Sequence, residues 1–260
     1  MRHRQRSVII PRVALRNRGV RMLAPLSWLR ATLGLQETPR RRGASDDGAD
    51  APRVWPAAVA AQHAITNAEL ENLHEIRERY VREVTWDGMT ISHQLCTFLL
   101  ALCRTIEPRQ ILDIGSGLSS LVFRRYAASS PGARVWSVDD DGAWLAQTAE
   151  LLQTHDLPTD NLLSWPERQN SHPDGVDLVF HDLGSIATRI QTLPWVLSRL
   201  APSTPCVLDD THFRRYWRAL QALAGQRGTT VTRLRTTADR YGRFASGLML
   251  GGDDGGSAAP

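Results

Sequence analysis

Residues 111–120 read Ile-Leu-Asp-Ile-Gly-Ser-Gly-Leu-Ser-Ser, and this stretch decides the fold. Apolar residues and one acid lead directly into two glycines one residue apart, and a helical stretch at residues 121–128 follows. The order predicts a buried parallel strand, a tight turn and a helix. Glycine suits such a turn because it reaches backbone angles closed to other residues and lets a ligand approach the bare main chain.

A second acid stands where a nucleotide would need it. Asp139 follows the next predicted strand, about twenty residues beyond the turn, where a carboxylate can accept hydrogen bonds from both hydroxyls of a ribose. The dinucleotide fingerprint Gly-x-Gly-x-x-Gly fits poorly, since Ser120 stands in place of its third glycine. A strand, turn and helix without any ligand is the remaining alternative, and the position of Asp139 argues against it.

The turn resembles the first nucleotide-binding motif of class I S-adenosylmethionine (SAM) methyltransferases, acid-x-Gly-x-Gly, with Asp113 as the acid. The resemblance implies an α/β fold with a doubly wound, mostly parallel, seven-stranded Rossmann-like sheet and an N-terminal helical extension. It also implies SAM as the cofactor. The residues expected around SAM from the turn and the following strand ends are Asp113, Gly115, Ser116, Gly117, Asp139, Asp140, Ser164 and Trp165.

Two of the expected cofactor contacts have structural alternatives. Trp165 is expected to stack near the adenine, and the alternative is an ordinary core tryptophan. Residues 89–93 resemble the segment that closes over the cofactor in several methyltransferases, so the hydroxyls of Thr90 and Ser92 would reach the methionine carboxylate. The alternative is that one of them is simply a helix N-cap.

The charge is distributed unevenly along the 260 residues. All 31 basic residues are arginine, so no lysine can act as a catalytic base. Residues 1–42 contain eleven arginines and one acid, whereas the remainder contains 20 arginines and 26 acids. The basic character therefore belongs to the N-terminal tail, and contact with nucleic acid is expected only through that tail.

The chain is long enough for one α/β domain with extensions. Residues 1–53 are predicted to be an Arg-rich, largely disordered extension and linker, and residues 251–260 a disordered tail. Residues 54–250 form the predicted methyltransferase domain, with N-terminal helices at 54–108 and the Rossmann-like core at 109–250. No stretch approaches the ~20 uninterrupted apolar residues of a membrane span.

The compartment is inferred from composition. Cys96, Cys103 and Cys206 are isolated in apolar contexts, which predicts buried free thiols in a reducing environment. The N-terminal stretch lacks the apolar core of a secretory signal, although its Arg-rich, acid-poor composition resembles a mitochondrial presequence. The absence of lysine favours a bacterial cytoplasmic protein instead.

Local patterns predict the elements. Thr66 and Glu69 form a capping box for the first confidently predicted helix, and Pro108 ends the second helix before the central strand. Beyond it, largely apolar strands alternate with helices, which is typical of a parallel sheet covered on both faces. Predicted strands lie at 111–114, 134–138, 161–164, 176–180, 206–208, 229–235 and 244–250, the last two as an antiparallel pair, and predicted helices at 92–106, 142–154, 186–200 and 212–224.

Polar residues cluster where the fourth and fifth strands end. Ligands of open α/β sheets lie beyond the carboxyl ends of the strands, and charged groups there are costly unless they bind something. His181 and Asp182 follow strand four, and residues 209–212, Asp-Asp-Thr-His, follow strand five. One of Asp209 and Asp210 has the alternative role of capping the next helix.

This second cluster resembles the small metal-dependent O-methyltransferases of the catechol O-methyltransferase kind. In that family an aspartate and an Asp-Asn pair hold a magnesium ion that binds two vicinal acceptor oxygens. Asp182 and Asp210 match the aspartates and Thr211 replaces the asparagine, so the resemblance implies Mg²⁺ held by these three residues. A hydroxyl is a weaker oxygen ligand, and the family's catalytic lysine falls at Ser185.

A replacement base is therefore needed. His181 and His212 are the candidates, because imidazole titrates near neutrality. Asp182, which follows His181 directly, is included among the predicted catalytic residues. The sequence predicts a SAM-dependent methyltransferase that O-methylates a small-molecule acceptor in secondary metabolism. The alternatives are a methyltransferase acting on RNA or protein through the Arg-rich tail, and a non-catalytic SAM-fold binding protein. Arginines such as Arg189 suggest an anionic or polyhydroxylated acceptor, and a solvated helix face explains them equally well.

Overall fold

A computed structural model of the protein describes residues 52–165 and 175–251. The predicted Arg-rich extension and the predicted C-terminal tail lie almost wholly outside these ranges, and so does the segment at 166–174.

Three helices precede the sheet: α1 (Val54–Ala61), α2 (Asn67–Glu83) and α3 (His93–Ile106). The predicted capping box is confirmed, since Thr66 accepts a hydrogen bond from the Glu69 amide and the Glu69 side chain accepts one from the Thr66 amide. Helix α1 lies within the range predicted for the N-terminal helices, although no individual helix was predicted at its position; it has no side-chain cap and carries a proline in its first turn. Proline is tolerated there because the first-turn amides have no helical partner.

The described residues contain a seven-stranded sheet in the order β3-β2-β1-β4-β5-β7-β6, as predicted. Its strands are β1 (Gln110–Ile114), β2 (Arg134–Asp139), β3 (Leu162–Ser164), β4 (Leu178–His181), β5 (Cys206–Leu208), β6 (Val231–Leu234) and β7 (Ala245–Leu248). The first five strands pair in parallel, and β7 is antiparallel to both β5 and β6. The helices between them are α4 (Leu118–Ala128), α5 (Gly142–Thr154), α6 (Ile186–Arg199) and α7 (Arg214–Gln226).

Each face of the sheet has its own apolar core, which makes the fold doubly wound. Ile111 of β1 packs on the face covered by α3, α4 and α5, while Leu112 and Ile114 pack on the face covered by α6 and α7. Burying one such side chain contributes about 1.5–3 kcal/mol. The three cysteines are buried free thiols, as predicted.

Helix α3 is long and strongly apolar. By length and composition alone, the stretch Asp87–Ile106 would suffice to cross a membrane. In the structure 67% of its 18-residue apolar window is buried inside the fold, and a buried core helix of a globular domain has the same length and composition.

Helix α1 belongs to the domain because it packs against α3 and covers β7. The Trp55 side chain is buried, and its ring lies directly against Gly247. A Cβ atom added to Gly247 would lie 2.6 Å from two ring carbons of Trp55.

We therefore expect Gly247→Ala to destabilise the protein by about 1–3 kcal/mol, because the added methyl overpacks this contact. Urea denaturation measures the change. Gly225→Ala is the matched control, since it lies within α7 with open space around its Cα and should be neutral or stabilising by about 0.5–1 kcal/mol. Equal stabilities for the two variants would contradict the packing of α1 on β7.

Candidate functional site

The order of the strands reverses next to β1, because β2 lies on one side of it and β4 on the other. Gly115 lies at this point with φ at +107°, and a Cβ atom there would lie 2.5 Å from the main-chain carbon and oxygen of Asp182. The Asp182 amide also donates to the Ile114 carbonyl, at 2.6 Å. The exits of β1 and β4 are therefore so close that only glycine fits between them.

The second glycine of the turn faces two aromatic side chains. Gly117 has φ at +132°, and a Cβ atom there would lie 3.3 Å from the Tyr80 hydroxyl and 3.4 Å from Trp144 Nε1. Trp144 donates to the Ser116 carbonyl at 2.8 Å. Tyr80 is only 2% exposed, and its hydroxyl has no hydrogen-bond partner among the described residues. A polar atom that is buried without a partner costs free energy, so the Tyr80 hydroxyl is available for a hydrogen bond with a ligand group.

Asp139 lies at the turn, as predicted. Its carboxylate accepts hydrogen bonds from the Ser116 amide (2.7 Å) and hydroxyl (3.1 Å) and from the Asp141 amide (3.1 Å). Burial raises the pKa of Asp139 to about 6, although these hydrogen bonds lower it. Asp140 is exposed, and its carboxylate lies 3.1–3.2 Å from the Cβ position of Gly184. Both acids therefore lie beside the loops that leave β1 and β4.

Asp113 lies beneath the turn and does not face the ligand side. It is fully buried and accepts hydrogen bonds from the hydroxyls of Ser119 (2.8 Å), Ser120 (2.5 Å) and Ser137 (2.8 Å). Burial raises its pKa to about 6. This corrects the prediction that Asp113 binds the cofactor directly, because all of its described partners belong to the scaffold. Ser120, at the position of the missing glycine, also accepts from the Gly117 amide at 3.2 Å.

Ser164 and Trp165 lie beside Asp139, as predicted. Ser164 pairs with Asp139 across β3 and β2, and the Trp165 amide donates to the Asp139 carbonyl at 2.7 Å. The Trp165 ring packs edge-to-face against Trp195 of α6, with centroids 4.7 Å apart. The sequence analysis did not single out Trp195.

Ser92 is a helix cap, which corrects its prediction as a cofactor ligand. Its hydroxyl accepts from the Leu95 amide at the start of α3 and donates to the Thr237 carbonyl, both at 3.0 Å. Its one donor is therefore already in use within the fold. The structural alternative that the sequence left open for this residue is the one observed.

His181 is a core residue, which corrects its prediction as a catalytic base. It is fully buried, with Nδ1 at 2.9 Å from the Tyr216 hydroxyl and Nε2 at 2.9 Å from the Thr192 hydroxyl. Burial lowers its pKa to about 3, and the nearby Arg189 lowers it further. Both ring nitrogens already have partners, so neither is available to an acceptor.

An arginine stands between the two aspartates predicted to bind Mg²⁺. Arg189 Nη2 lies 2.6 Å from Asp182 Oδ1, and Nη1 lies 2.7 Å from Asp210 Oδ2. Burial lowers the pKa of this guanidinium, but the two carboxylates more than offset that and raise it above its usual range. The predicted catalytic residue Asp182 is thus committed to an ion pair.

The third predicted metal ligand points away from this pair. Thr211 is buried, and its hydroxyl lies 3.2 Å from the Phe244 carbonyl and 2.7 Å from the Ser246 hydroxyl. Among residues 52–165 and 175–251, no group of three or more His, Cys, Asp or Glu side chains is arranged to hold a metal ion. The contacts of these side chains therefore do not support the predicted magnesium site at Asp182, Asp210 and Thr211.

His212 is the predicted base whose surroundings suit that role. Its side chain is 20% exposed, and Nδ1 lies 3.6 Å from Asp210 Oδ1. Its ring packs on Phe213, with centroids 4.2 Å apart, and lies 6.3 Å from the ring of Phe244. Burial lowers the pKa of His212 below its usual value, even though Asp210 raises it. The imidazole is therefore neutral at pH 7 and able to accept a proton.

Comparison with known proteins supports the fold. No protein-family profile and no curated protein sequence matches the chain. Solved structures do match: the O-methyltransferase TomG from Streptomyces achromogenes, involved in tomaymycin synthesis and determined with SAM, is 18% identical, with a TM-score of 0.58 over 76% of this chain and 96% of its own.

Two further structures agree. The methyltransferase PaMTH1 from Podospora anserina, bound to S-adenosylhomocysteine (SAH), is 17% identical, with a TM-score of 0.56 over 81% of this chain and 100% of its own. An O-methyltransferase from Bacillus cereus, also with SAH, is 16% identical, with a TM-score of 0.53 over 75% and 99%. At these identities the likeness establishes the Rossmann-like fold that the chain shares with small O-methyltransferases.

We expect His181→Leu to destabilise the protein by about 1–3 kcal/mol at pH 7.5, because the buried Tyr216 hydroxyl loses its partner. The pH dependence gives a second readout by urea denaturation. With a folded pKa of about 3, His181 binds fewer protons in the folded than in the unfolded state, so its contribution to stability falls as the pH drops below 6.5. The difference in the free energy of unfolding between the wild type and His181→Leu should therefore become smaller over that pH range. A difference in the free energy of unfolding that does not change with pH would contradict a neutral, buried His181.

Proposed function

We propose that the protein is a SAM-dependent O-methyltransferase that acts on a small-molecule acceptor. The observation that carries the proposal is the unpartnered Tyr80 hydroxyl, buried against the bare main chain of Gly117 at the end of β1. The fold shared with SAM- and SAH-bound methyltransferases supports it. One of those neighbours takes part in tomaymycin synthesis, which favours a role in secondary metabolism.

The residues around the turn suit SAM. The main chain at residues 115–117 would approach the methionine part, because the two glycines of the turn carry no side chain that covers it. Asp139 would hold the ribose hydroxyls, and Asp140 lies next to it. Ser164 and Trp165 would border the adenine. When bound, SAM supplies a methyl group that its sulfonium activates for transfer to a nucleophile.

His212 is the proposed general base. As an acceptor oxygen takes the methyl group, its proton must leave, and His212 Nε2 would receive it. Asp210 Oδ1 lies 3.6 Å from Nδ1, so its negative charge would stabilise the imidazolium that forms. Ser185 does not compete for this role, because its hydroxyl caps α6 by accepting from the Thr188 amide at 3.2 Å.

The alternatives drawn from the sequence stay predictions. Methylation of RNA or protein was tied to the Arg-rich residues 1–53, which lie almost wholly outside the described part of the chain. A bacterial cytoplasmic location likewise stays a prediction. The non-catalytic alternative predicts SAM binding without methyl transfer, so a loss of turnover in a His212 variant would exclude it.

Calorimetric titration with SAH tests the cofactor site. We expect Asp139→Ala to weaken SAH binding about tenfold or more, since it loses hydrogen bonds to a charged group. Tyr80→Phe should weaken binding about 2- to 10-fold, through a single hydrogen bond. Tyr126→Phe is the matched control, because that hydroxyl donates to the Pro108 carbonyl at the other end of β1 and should leave binding unchanged. If the wild-type protein fails to bind SAH, the proposed function is wrong.

The base is tested by the pH profile of methyl transfer, followed as SAH release with a panel of phenols and other small hydroxylated acceptors. Because burial lowers the pKa of His212 below its usual value, the activity of the wild type should fall on the acidic side with an apparent pKa below 6.5. We expect His212→Gln to lower kcat by about 10²- to 10⁴-fold and to remove this acidic limb. An unchanged limb in the variant would assign the base to another residue.

A further inference from the structure

We infer that Arg189 takes the place of a divalent cation between β4 and β5, so that the protein works without a metal ion. The consequence for catalysis rests on the proposed function, whereas the occupation of the cation position does not. The inference starts from the ion pairs that Arg189 makes with both of the aspartates that the sequence resemblance assigned to Mg²⁺.

The guanidinium is held on several sides. Besides Asp182 and Asp210, Nε lies 3.4 Å from the Leu183 carbonyl and Nη2 lies 3.3 Å from the Gly184 carbonyl. The residue is only 7% exposed. Guanidinium is a planar fork that keeps its charge and matches carboxylate geometry, so it is suited to a fixed, buried position. Its partners are oxygen atoms, the atoms that a hard cation would also select.

The Arg189 side chain projects from the first turn of helix α6. Ser185 caps α6, and the Arg189 amide donates to the Ser185 carbonyl at 2.9 Å in the first helical turn. Arg189 is thus fixed one turn after the loop that contains Asp182. Ser185 is also the position that matched the family's catalytic lysine, so this departure from the family pattern and Arg189 lie within one helical turn of each other.

Few oxygen ligands are available to a metal ion at this position. Mg²⁺ requires about six oxygen ligands at roughly 2.0–2.1 Å in near-octahedral geometry. Here Thr211 is turned towards Ser246, and Asp209 accepts from the Asp210 amide at 2.7 Å. Asp210 itself has φ at +57°, an uncommon backbone conformation for a residue other than glycine, and its two carboxylate oxygens face Arg189 and His212.

One consequence concerns the acceptor. An ion that binds two vicinal oxygens selects acceptors with both oxygens, and a guanidinium committed to two carboxylates does not chelate in that way. The acceptor therefore needs only the one hydroxyl that is methylated. The acceptor class expected from this arrangement is a singly hydroxylated small molecule, with no requirement for a catechol.

Binding of Mn²⁺ to the full-length protein tests the inference, with free Mn²⁺ measured by electron paramagnetic resonance in the absence of cofactor. We expect no stoichiometric site in the wild type. Arg189→Ala should bind one Mn²⁺ at least about tenfold more tightly than the wild type does, because the substitution leaves two carboxylates without their cation. The double variant Arg189→Ala, Asp210→Asn should lose that site. Arg218→Ala, which removes an exposed arginine from α7, is the matched control and should behave as the wild type.

Two outcomes would overturn the inference. One is a wild-type Mn²⁺ site that Asp182→Asn removes, and the other is a folded Arg189→Ala that gains no site. Arg189→Met replaces Arg189→Ala if the latter does not fold, and the wild-type measurement needs no variant at all. Because the assay contains no SAH, a protein that fails to bind SAH while behaving as expected towards Mn²⁺ would refute the proposed function and leave the role of Arg189 intact.

Discussion

The close passage of β1 and β4 is the constraint on which the site depends. Gly115 lies so near the main chain of Asp182 that a single methyl group would separate the strands. Because the strand exits meet there, the glycine turn, Asp139 and the polar residues after β4 and β5 share one edge of the sheet. Asp113 secures the turn from below through three serine hydroxyls, which makes its burial tolerable.

Electrostatics divide this edge into two parts. Around β1 and β2, the turn presents main-chain groups, an acid and an unpartnered phenol, which together suit a nucleoside with a charged side chain. Around β4 and β5, Arg189 forms ion pairs with both Asp182 and Asp210, and Asp210 in turn faces His212. The negative charge that would otherwise attract a metal ion is thus partly compensated within the protein, and the His212 imidazole is the proton acceptor that we propose.

The sequence predicted the architecture well because the fold follows from local patterns: apolar strands, a glycine turn and a helix repeat in an order with few alternatives. It predicted positions at the strand ends better than it predicted the direction of side chains. His181 and His212 look alike in sequence, yet one belongs to a strand whose register buries it and the other follows a strand. Tyr80 lies on α2 and Arg189 on α6, and the contacts that these side chains make with residues distant in sequence leave no signal in a single sequence.

A crystal structure of the protein with SAH tests the proposed cofactor site at the glycine turn, because it shows at once whether the turn binds the cofactor and which residues contact it. The account predicts SAH against Gly117, its ribose hydroxyls on Asp139 and the Tyr80 hydroxyl within hydrogen-bond distance of a ligand atom, with Arg189 still between Asp182 and Asp210. SAH bound elsewhere, or a turn that stays free at saturating SAH, would contradict the account.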